Sequence, residues 1–465
     1  LTTALPPTFI ERMHILLGDE ADAFFRSYEE PRTYGLRLNP LKLDARPAVR
    51  EQLTALFGLQ PLPWCTDGFR YRESERPGRH LYHMAGLYYI QEPSAMIAAE
   101  LLDARPGETV LDLAAAPGGK TTQIAAGMQG RGLLVANEIH PGRAKILSEN
   151  IERLGIVNAL VTQATPQALS ERFPERFDRV LLDAPCSGEG MFRKDPAAIA
   201  EWSPEAVEAC AARQRDILPH AAAMLKPGGA LVYSTCTFNS LENEETIADF
   251  LTRHPSFRLI KEERMWPHRG QGEGHYAALL RKEGDATLPA ISVPGRRESR
   301  LGSKRSRSNS GSGSMGGSSA ESLMKGYEAF ACLNLPAFRL PEQGHALSFG
   351  DALYWMPAAD GIPIPDELRG LRVLRSGLRL GELHGGGRFE PDHALAIAVA
   401  ATDARLAASW TAESAEAAAY CRGEALPAPA DSKGWGIAAV DGFPLGWFKA
   451  SNSLYKNHRP KGLRL

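Results

Sequence analysis

Leu111-Asp112-Leu113-Ala114-Ala115-Ala116-Pro117-Gly118-Gly119-Lys120-Thr121 is the stretch on which the reading of this chain turns. Thr109 to Leu113 is a short apolar run that reads as a buried strand, and Thr121 to Ala126 opens a helix. Strand, Pro-Gly-Gly, helix is a ligand-binding geometry. Glycines let a ligand approach the backbone, and the helix N-terminus offers free N–H groups. A P-loop is excluded because Ala114 stands where its first glycine belongs, and the G-x-G-x-x-G dinucleotide pattern is absent. Glu138 follows the next strand, Leu133 to Asn137, and lies 19 residues after Gly119. A carboxylate there can accept hydrogen bonds from two ribose hydroxyls. Gly118-Gly119 alone would equally serve a tight strand–helix turn. With Glu138 in place, the pattern suits a nucleoside cofactor without pyrophosphate, such as S-adenosyl-L-methionine.

Outward from this turn, strands and helices alternate. Strands are expected over 109–113, 133–137, 159–162, 179–182, 230–234 and 275–281. Helices are expected over 93–102, 143–154, 204–225 and 244–251. That alternation specifies a doubly wound parallel α/β sheet. In such a sheet the strand C-terminal ends share one face, which holds the ligand. Asp183 ends its strand inside that cleft, whereas Asp178 fixes the start of a strand. Arg143 either braces Glu138 or caps the helix that follows.

Cys186, in Asp183-Ala184-Pro185-Cys186-Ser187-Gly188, and Cys236, in Tyr233-Ser234-Thr235-Cys236-Thr237, each follow a buried strand. Both should therefore face the cofactor cleft. Cys65, Cys210, Cys332 and Cys421 read as small apolar residues. No C-x-x-C pair occurs, so neither a zinc site nor a disulfide framework is indicated. A thiolate beside a sulfonium cofactor suits methylation of a pyrimidine carbon. Addition to C6 turns C5 of cytosine into an enamine carbon that can attack a methyl group. The second thiol or Asp183 could then assist proton transfer and release. Methylation of an exocyclic amine would favour an Asn- or Asp-Pro-Pro-aromatic turn, and Asp183-Ala184-Pro185-Cys186 is not one.

The chain has 465 residues, 43% of them hydrophobic, and a formal net charge of −2. Length suggests roughly three domains. No global field recruits an anionic partner, so any nucleic-acid surface must come from local basic clusters. No signal-peptide core and no run of about 20 apolar residues is present, so a cytoplasmic protein without membrane contact is expected. Residues 1–85 read as a small α+β domain, with a helix over 6–28, an alternating strand from Arg32 to Leu43 and a rim of Arg70, Arg72, Arg76 and Arg79. The sheet domain covers 86–283. Residues 284–322 carry Arg296, Arg297, Arg300, Lys304, Arg305 and Arg307 before a Ser/Gly run, and read as a flexible basic linker. A further domain covers 323–412. Residues 413–465 read as a β-rich unit with a hairpin closed on Asp441-Gly442. Its tail places Lys449, Lys456, Arg459, Lys461 and Arg464 among Trp447, Phe448 and Tyr455, a mixture suited to phosphate contact and base stacking, although Trp447 and Phe448 read first as core. Arg193 and Lys194 flank the cleft and read as phosphate contacts. The histidines in Trp266-Pro267-His268 and Gly274-His275 read as structural.

The segments Ala114 to Lys120, Asp183 to Gly188, and Ser234-Thr235-Cys236 followed by Glu242-Asn243-Glu244 together resemble the Nop/Sun family of RNA cytosine-5 methyltransferases. The resemblance spans about 91–283. It implies a Rossmann-like methyltransferase core that uses S-adenosyl-L-methionine. Cys236 would be the nucleophile, Cys186 the residue assisting release, and Asp183 and Lys120 the contacts to the base. Cofactor binding would fall to Ala114, Ala115, Ala116, Pro117, Gly118, Gly119, Lys120, Glu138, Arg143 and Asp183. Thr162-Gln163-Ala164 departs from relatives that carry an Asp for the adenine amine, which leaves adenine recognition open.

Arg32 to Asn39, Tyr89 to Ser94 and Gly188 to Lys194 are similar to the bacterial RsmF type within that family. That likeness implies 16S ribosomal RNA, free or in the 30S subunit, as the partner of a monomeric enzyme, and a C-terminal PUA-like unit. The same chemistry on tRNA, or a non-catalytic rRNA-binding assembly factor, are the alternatives. Intact Cys186 and Cys236 count against the last.

Overall fold

The computed structural model describes residues 5–284, 320–341, 344–357, 368–385 and 387–465. The basic run from Arg296 to Arg307 lies outside the described residues. The expected helix over 6–28 is two helices, Pro7–Leu17 and Ala21–Ser27, because Gly18 turns the chain at φ +51°. Phe9, Met13 and Phe24 are buried with Phe192, Phe238 and Trp266, so these helices pack on the side of the cleft.

An antiparallel sheet follows: β1 (Tyr34–Leu38), β2 (Gln60–Leu62), β3 (Cys65–Tyr71) and β4 (Tyr88–Ile90), in the order β2-β3-β1-β4. Its edge strand β4 lies past residue 85, where the sequence suggested a boundary. The polar positions after Tyr34 do not face water. Arg37 is only 2% exposed. Its guanidinium donates to Thr122 Oγ1 at 2.7 Å and to the Gly119 carbonyl at 3.3 Å. Asn39 donates to the Gly86 and Leu154 carbonyls. Alternation therefore marked two buried faces, one against the first domain's own core and one against the helix that opens at Gly119.

The central sheet contains β5 (Thr109–Asp112), β6 (Leu133–Asn137), β7 (Ala159–Gln163), β8 (Phe177–Asp183), β9 (Leu225–Thr235), β10 (Phe257–Met265) and β11 (His275–Lys282). Their order is β10-β11-β9-β8-β5-β6-β7. Strands β5 to β9 pair in parallel, as the helix–strand alternation requires. The sheet is not wholly parallel, which corrects the sequence reading. β11 runs antiparallel to β9 and to β10, because β10 and β11 are consecutive strands that form a hairpin at the sheet edge, joined by a loop with a short turn over Pro267–Arg269. β10 escaped the sequence reading because its middle, Arg258 to Glu262, is exposed and charged. At the opposite edge Arg372–Ser376, from the C-terminal half, pairs antiparallel with β7 and covers it. Asp178 anchors β5 as expected, accepting the Thr109 N–H at 2.8 Å while Lys226 lies 2.7 Å from its other oxygen.

The chain runs β5, β6, β7 to one side and then returns to β8 on the other. The order reverses between β5 and β8, and a crevice opens above their C-terminal ends. Among the described residues no helix is long and apolar enough to cross a membrane.

The C-terminal half holds a helix, Ala320–Asn334, an antiparallel sheet over 344–391, and a five-stranded sheet over 407–457. The last sheet begins before residue 413, because Ala407–Trp410 pairs in parallel with Gly434–Val440. Asp441 and Gly442 close the expected hairpin with φ of 47° and 79°, the signature of the turn that Asp-Gly favours. Trp447 and Phe448 are buried, and Arg459 is tied to the Leu463 carbonyl at 3.0 Å. The buried tail side chains are therefore structural, and Lys456 and Lys461 remain exposed.

The first and last domains share one core, in which Leu36, Phe57 and Tyr88 pack with Tyr420, Leu445 and Phe448. Arg46 lies 4.5 Å from the Phe443 ring and donates to the Asp441 carbonyl at 3.1 Å, and the Tyr82 hydroxyl donates to Asp441 at 2.9 Å. Phe448→Ala is expected to lower unfolding free energy by about 3–5 kcal/mol. Hydrogen exchange should quicken at Leu36 and Leu38 as well as in the last sheet. Loosening confined to residues 407–465 would show two independent cores.

Candidate active site

The loop after β5 is held open by fixed partners. Leu113 N–H donates to Leu181 and Ala115 N–H to Asn137, both across to neighbouring strands. Arg143 donates to the Ala116 carbonyl at 2.7 Å, and Asn150 donates to the Pro117 carbonyl at 2.9 Å. Gly118 sits at φ +111°, where a side chain would be strained, and an added Cβ would stand 3.2 Å from Leu147. The helix Gly119–Met128 starts at once, and Thr121 Oγ1 donates to Asp112 at 2.7 Å.

Glu138 extends from the end of β6 beside this loop and is 2% exposed. It accepts the His140 N–H at 2.9 Å, and Arg143 lies 3.3 Å away. Arg143 thus braces Glu138 and the loop together. Asn137, which the sequence reading passed over, joins β5, β6 and β7: it donates to the Leu113 and Ala164 carbonyls and accepts from Thr162 and the Ala164 N–H. Gln163 donates to the Ile139 carbonyl at 3.1 Å, and its Oε1 has no partner.

Asp183 is where the Pro-Gly-Gly turn and the cysteine strands meet. Lys120 Nζ lies 2.8 Å from Asp183 Oδ2, and Ser234 Oγ donates to Oδ1 at 2.7 Å. Burial alone would raise the Asp183 carboxyl, but the Lys120 charge, with hydrogen bonds from Lys120 and Ser234, outweighs it and holds the group below its ordinary range. The Lys120 ammonium is likewise opposed by burial and carried above its usual value by Asp183. His275, at the start of β11, is 3% exposed with Nε2 at 3.7 Å from Asp183 Oδ1 and no hydrogen-bond partner. Burial, then the nearby Lys120 charge, pushes its pKa down to about 3, so the imidazole is neutral.

Cys186 and Cys236 are free and half-buried, with their sulfurs 3.3 Å apart. Cys236 N–H also points at Cys186 Sγ, at 3.4 Å. The hydrogen bond to Cys236, followed by burial, raises the Cys186 thiol well above its ordinary pKa. Two thiolates at this distance would repel, so Cys186 keeps its proton.

The structure brings Lys120, Asp183, Cys186 and Cys236 together, with Glu138 and Arg143 on the adjoining loop. Arg193 is the exception among the expected RNA contacts. Its guanidinium is 3.0 Å from Glu273, and both side chains are almost fully buried. A carboxylate already takes that charge, so Lys194, which is exposed, is the cation left at this rim. Glu189 was also missed. It is fully buried and accepts the Phe238 N–H at 3.1 Å and Trp202 Nε1 at 3.0 Å, which fixes the chain just past Cys236. A carboxylate between two glycines carried no sequence signal beyond its motif.

Strand order and crevice define a methyltransferase fold. A solved structure described as a methyltransferase homolog protein from Pyrococcus horikoshii superposes with a TM-score of 0.52 at 29% identity, covering 59% of this chain and 94% of that one. The chain belongs to the RsmB/F family of 16S rRNA methyltransferases, whose model matches residues 99–281. Models of the RsmF N-terminal domain, the RsmF first C-terminal domain and the RsmF PUA domain match residues 5–93, 330–399 and 409–465. Proteins named ribosomal RNA small subunit methyltransferase F are similar along the chain. The one from Salmonella paratyphi B is 35% identical over 98% of this chain and 96% of its own length. The one from Pectobacterium carotovorum is 39% identical over 63% of this chain, and the match spans 65% of that relative.

Asp112 supplies a pH test of the crevice. Burial pushes its carboxyl from 3.8 up to about 7. A raised carboxyl pKa means stability that is present at low pH and lost as pH rises through the folded value. Asp112→Asn removes that loss and keeps an acceptor for Thr121. Its melting temperature should gain on the wild type between pH 5 and pH 8. A constant difference across that range would show that Asp112 is ionised throughout.

Proposed function

We propose that the chain transfers a methyl group from S-adenosylmethionine to C5 of a cytosine in 16S ribosomal RNA, through a covalent adduct between Cys236 and C6. The observation that carries this reading is the pair of free thiols 3.3 Å apart beside the Asp183–Lys120 pair, at the crevice of a methyltransferase fold. The crevice residues fit the cofactor. Glu138 offers a buried, pre-oriented carboxylate to ribose hydroxyls, and the unpartnered Gln163 Oε1 offers an acceptor to the adenine amine. When bound, S-adenosylmethionine supplies an electrophilic methyl group on a sulfonium.

Asp183 and Lys120 orient the base, one as acceptor for its amine and the other as donor to its carbonyl. The Cys236 thiolate adds to C6, and the electrons of the C5–C6 double bond pass to C5. C5 then bonds the methyl carbon as its bond to sulfur breaks. Solvent water takes the C5 proton, the electron pair it leaves re-forms the double bond, and the Cys236 thiolate is expelled. Cys186 is a neutral thiol one hydrogen bond from that sulfur, placed to protonate it as it leaves. Lys194, Lys456 and Lys461 are exposed cations available to the RNA backbone. A monomer working in the cytoplasm on 16S rRNA, free or in the 30S subunit, completes the reading.

Cys236→Ala is expected to abolish methylation and any covalent RNA adduct. Cys186→Ala should attack and methylate, then stall, so that an adduct stable in denaturing gels accumulates. An adduct that builds up with Cys236→Ala alone would exchange the two roles. For the cofactor, Glu138→Ala should weaken binding of S-adenosylmethionine in calorimetry by about 10-fold or more, the usual cost of losing hydrogen bonds to a charged group. Unchanged affinity would remove Glu138 from the ribose.

A further inference from the structure

Glu242 and Asn243 belong to a motif whose chemistry the proposed reaction leaves unused, and neither reaches solvent: both are 0% exposed. Their side chains point to the two cysteine loops. Glu242 Oε2 accepts the Ser187 N–H at 2.9 Å and Gln214 Nε2 at 2.9 Å, and its other oxygen accepts the Ser187 hydroxyl. The same Gln214 amide donates to the Pro185 carbonyl at 2.9 Å. Pro185 and Ser187 are the two neighbours of Cys186, so Glu242 and Gln214 hold that residue on both sides. Asn243 treats Cys236 in the same way. Its Oδ1 accepts the Thr235 hydroxyl at 2.6 Å, and its Nδ2 donates to the Thr237 carbonyl at 3.0 Å. A hydroxyl contact of 2.9 Å between Ser187 and Thr237 joins the two loops.

We propose that Glu242 and Asn243 are positioning residues that set the separation of the two thiols, Glu242 through the Cys186 loop and Asn243 through the Cys236 loop. A sulfur-to-sulfur contact of 3.3 Å needs two loops from different strands to be fixed within a few tenths of an ångström. The strand ladder ends where Asp183 pairs with Ser234, and beyond it the Gly190 N–H on the Cys236 carbonyl at 2.8 Å joins the two loops without fixing where the side chains of Cys186 and Cys236 stand. The adjacent Glu242-Asn243 pair supplies the missing constraint, one side chain to each loop, from a single short turn over Ser240–Glu242 that Tyr233 fixes by donating to the Glu242 carbonyl at 2.6 Å. Neither side chain contacts a thiol, so each acts through a loop.

The chemical consequence rests on the proposed covalent reaction. A loosened Cys186 would be slow to protonate the departing sulfur, and a loosened Cys236 would be slow to attack. The two variants should therefore fail at opposite steps. In single-turnover reactions with 16S rRNA, Glu242→Ala should slow product release at least 10-fold and accumulate a denaturant-stable protein–RNA adduct. Asn243→Ala should slow methylation by a similar factor with no adduct, and Glu242→Gln, which still accepts the Ser187 N–H, should recover most of the release rate. A second readout does not depend on the reaction: mass-spectrometric rates of iodoacetamide alkylation at each cysteine in the folded full-length protein. Glu242→Ala should change the Cys186 rate at least threefold and spare Cys236, and Asn243→Ala should do the reverse. Unchanged or equally altered alkylation of both thiols in either variant would overturn the positioning roles. Selective alkylation changes without adduct in any variant, Cys186→Ala included, would uphold them and refute the covalent reading.

Discussion

Lys120 and Asp183 meet at 2.8 Å above the point where the strand order reverses, and much of the molecule is arranged around that contact. Lys120 comes from the first turn of the helix that the Pro-Gly-Gly loop opens, and Asp183 from the last residue of β8. Taking both charges from water is costly, and a pair so placed adds little net stability. Its effect is on position. It ties the Pro-Gly-Gly loop to the strand that carries Cys186, and Ser234 extends the tie to the strand that carries Cys236. Removing either partner would leave an uncompensated charge beside a neutral His275, whose own burial forbids it to substitute as a cation.

The flanking domains act on this crevice by packing. Arg37, from the N-terminal sheet, donates to the first turn of the same helix, and Arg12 reaches Glu189 behind the Cys236 loop. The C-terminal half contributes a strand to the edge of the central sheet, and its last sheet shares a core with the first domain. Such a chain is a wrapped structure rather than a row of modules. Basic and aromatic side chains near the C-terminus are divided accordingly: Trp447, Phe448 and Arg459 hold the sheet together, and Lys456 and Lys461 stay exposed.

The crevice was legible in the sequence because its signals are local. An apolar run followed by Pro-Gly-Gly, an acid after the next strand, and two cysteines just past strand ends need no knowledge of long-range contacts. The Asp441-Gly442 turn and the anchoring role of Asp178 were legible for the same reason. What was not legible depends on partners distant in sequence. β10 is an edge strand whose exposed charges hide its alternation, and Arg372–Ser376 joins the central sheet only because two domains dock. Arg193 reads as a surface cation until Glu273 is seen beneath it. His275 and Glu189 carry no spacing that separates a cleft residue from an ordinary strand or loop residue.

The proposed reaction is methylation of carbon, not nitrogen, on 16S rRNA. It is tested most directly by incubating the full-length protein with labelled S-adenosylmethionine and, separately, 16S rRNA, 30S subunits and tRNA, then identifying the methylated nucleoside by mass spectrometry. 5-Methylcytidine is expected in 16S rRNA, as free RNA or in the subunit, and none in tRNA. A methyl group on an exocyclic amine, or 5-methylcytidine confined to tRNA, would contradict it.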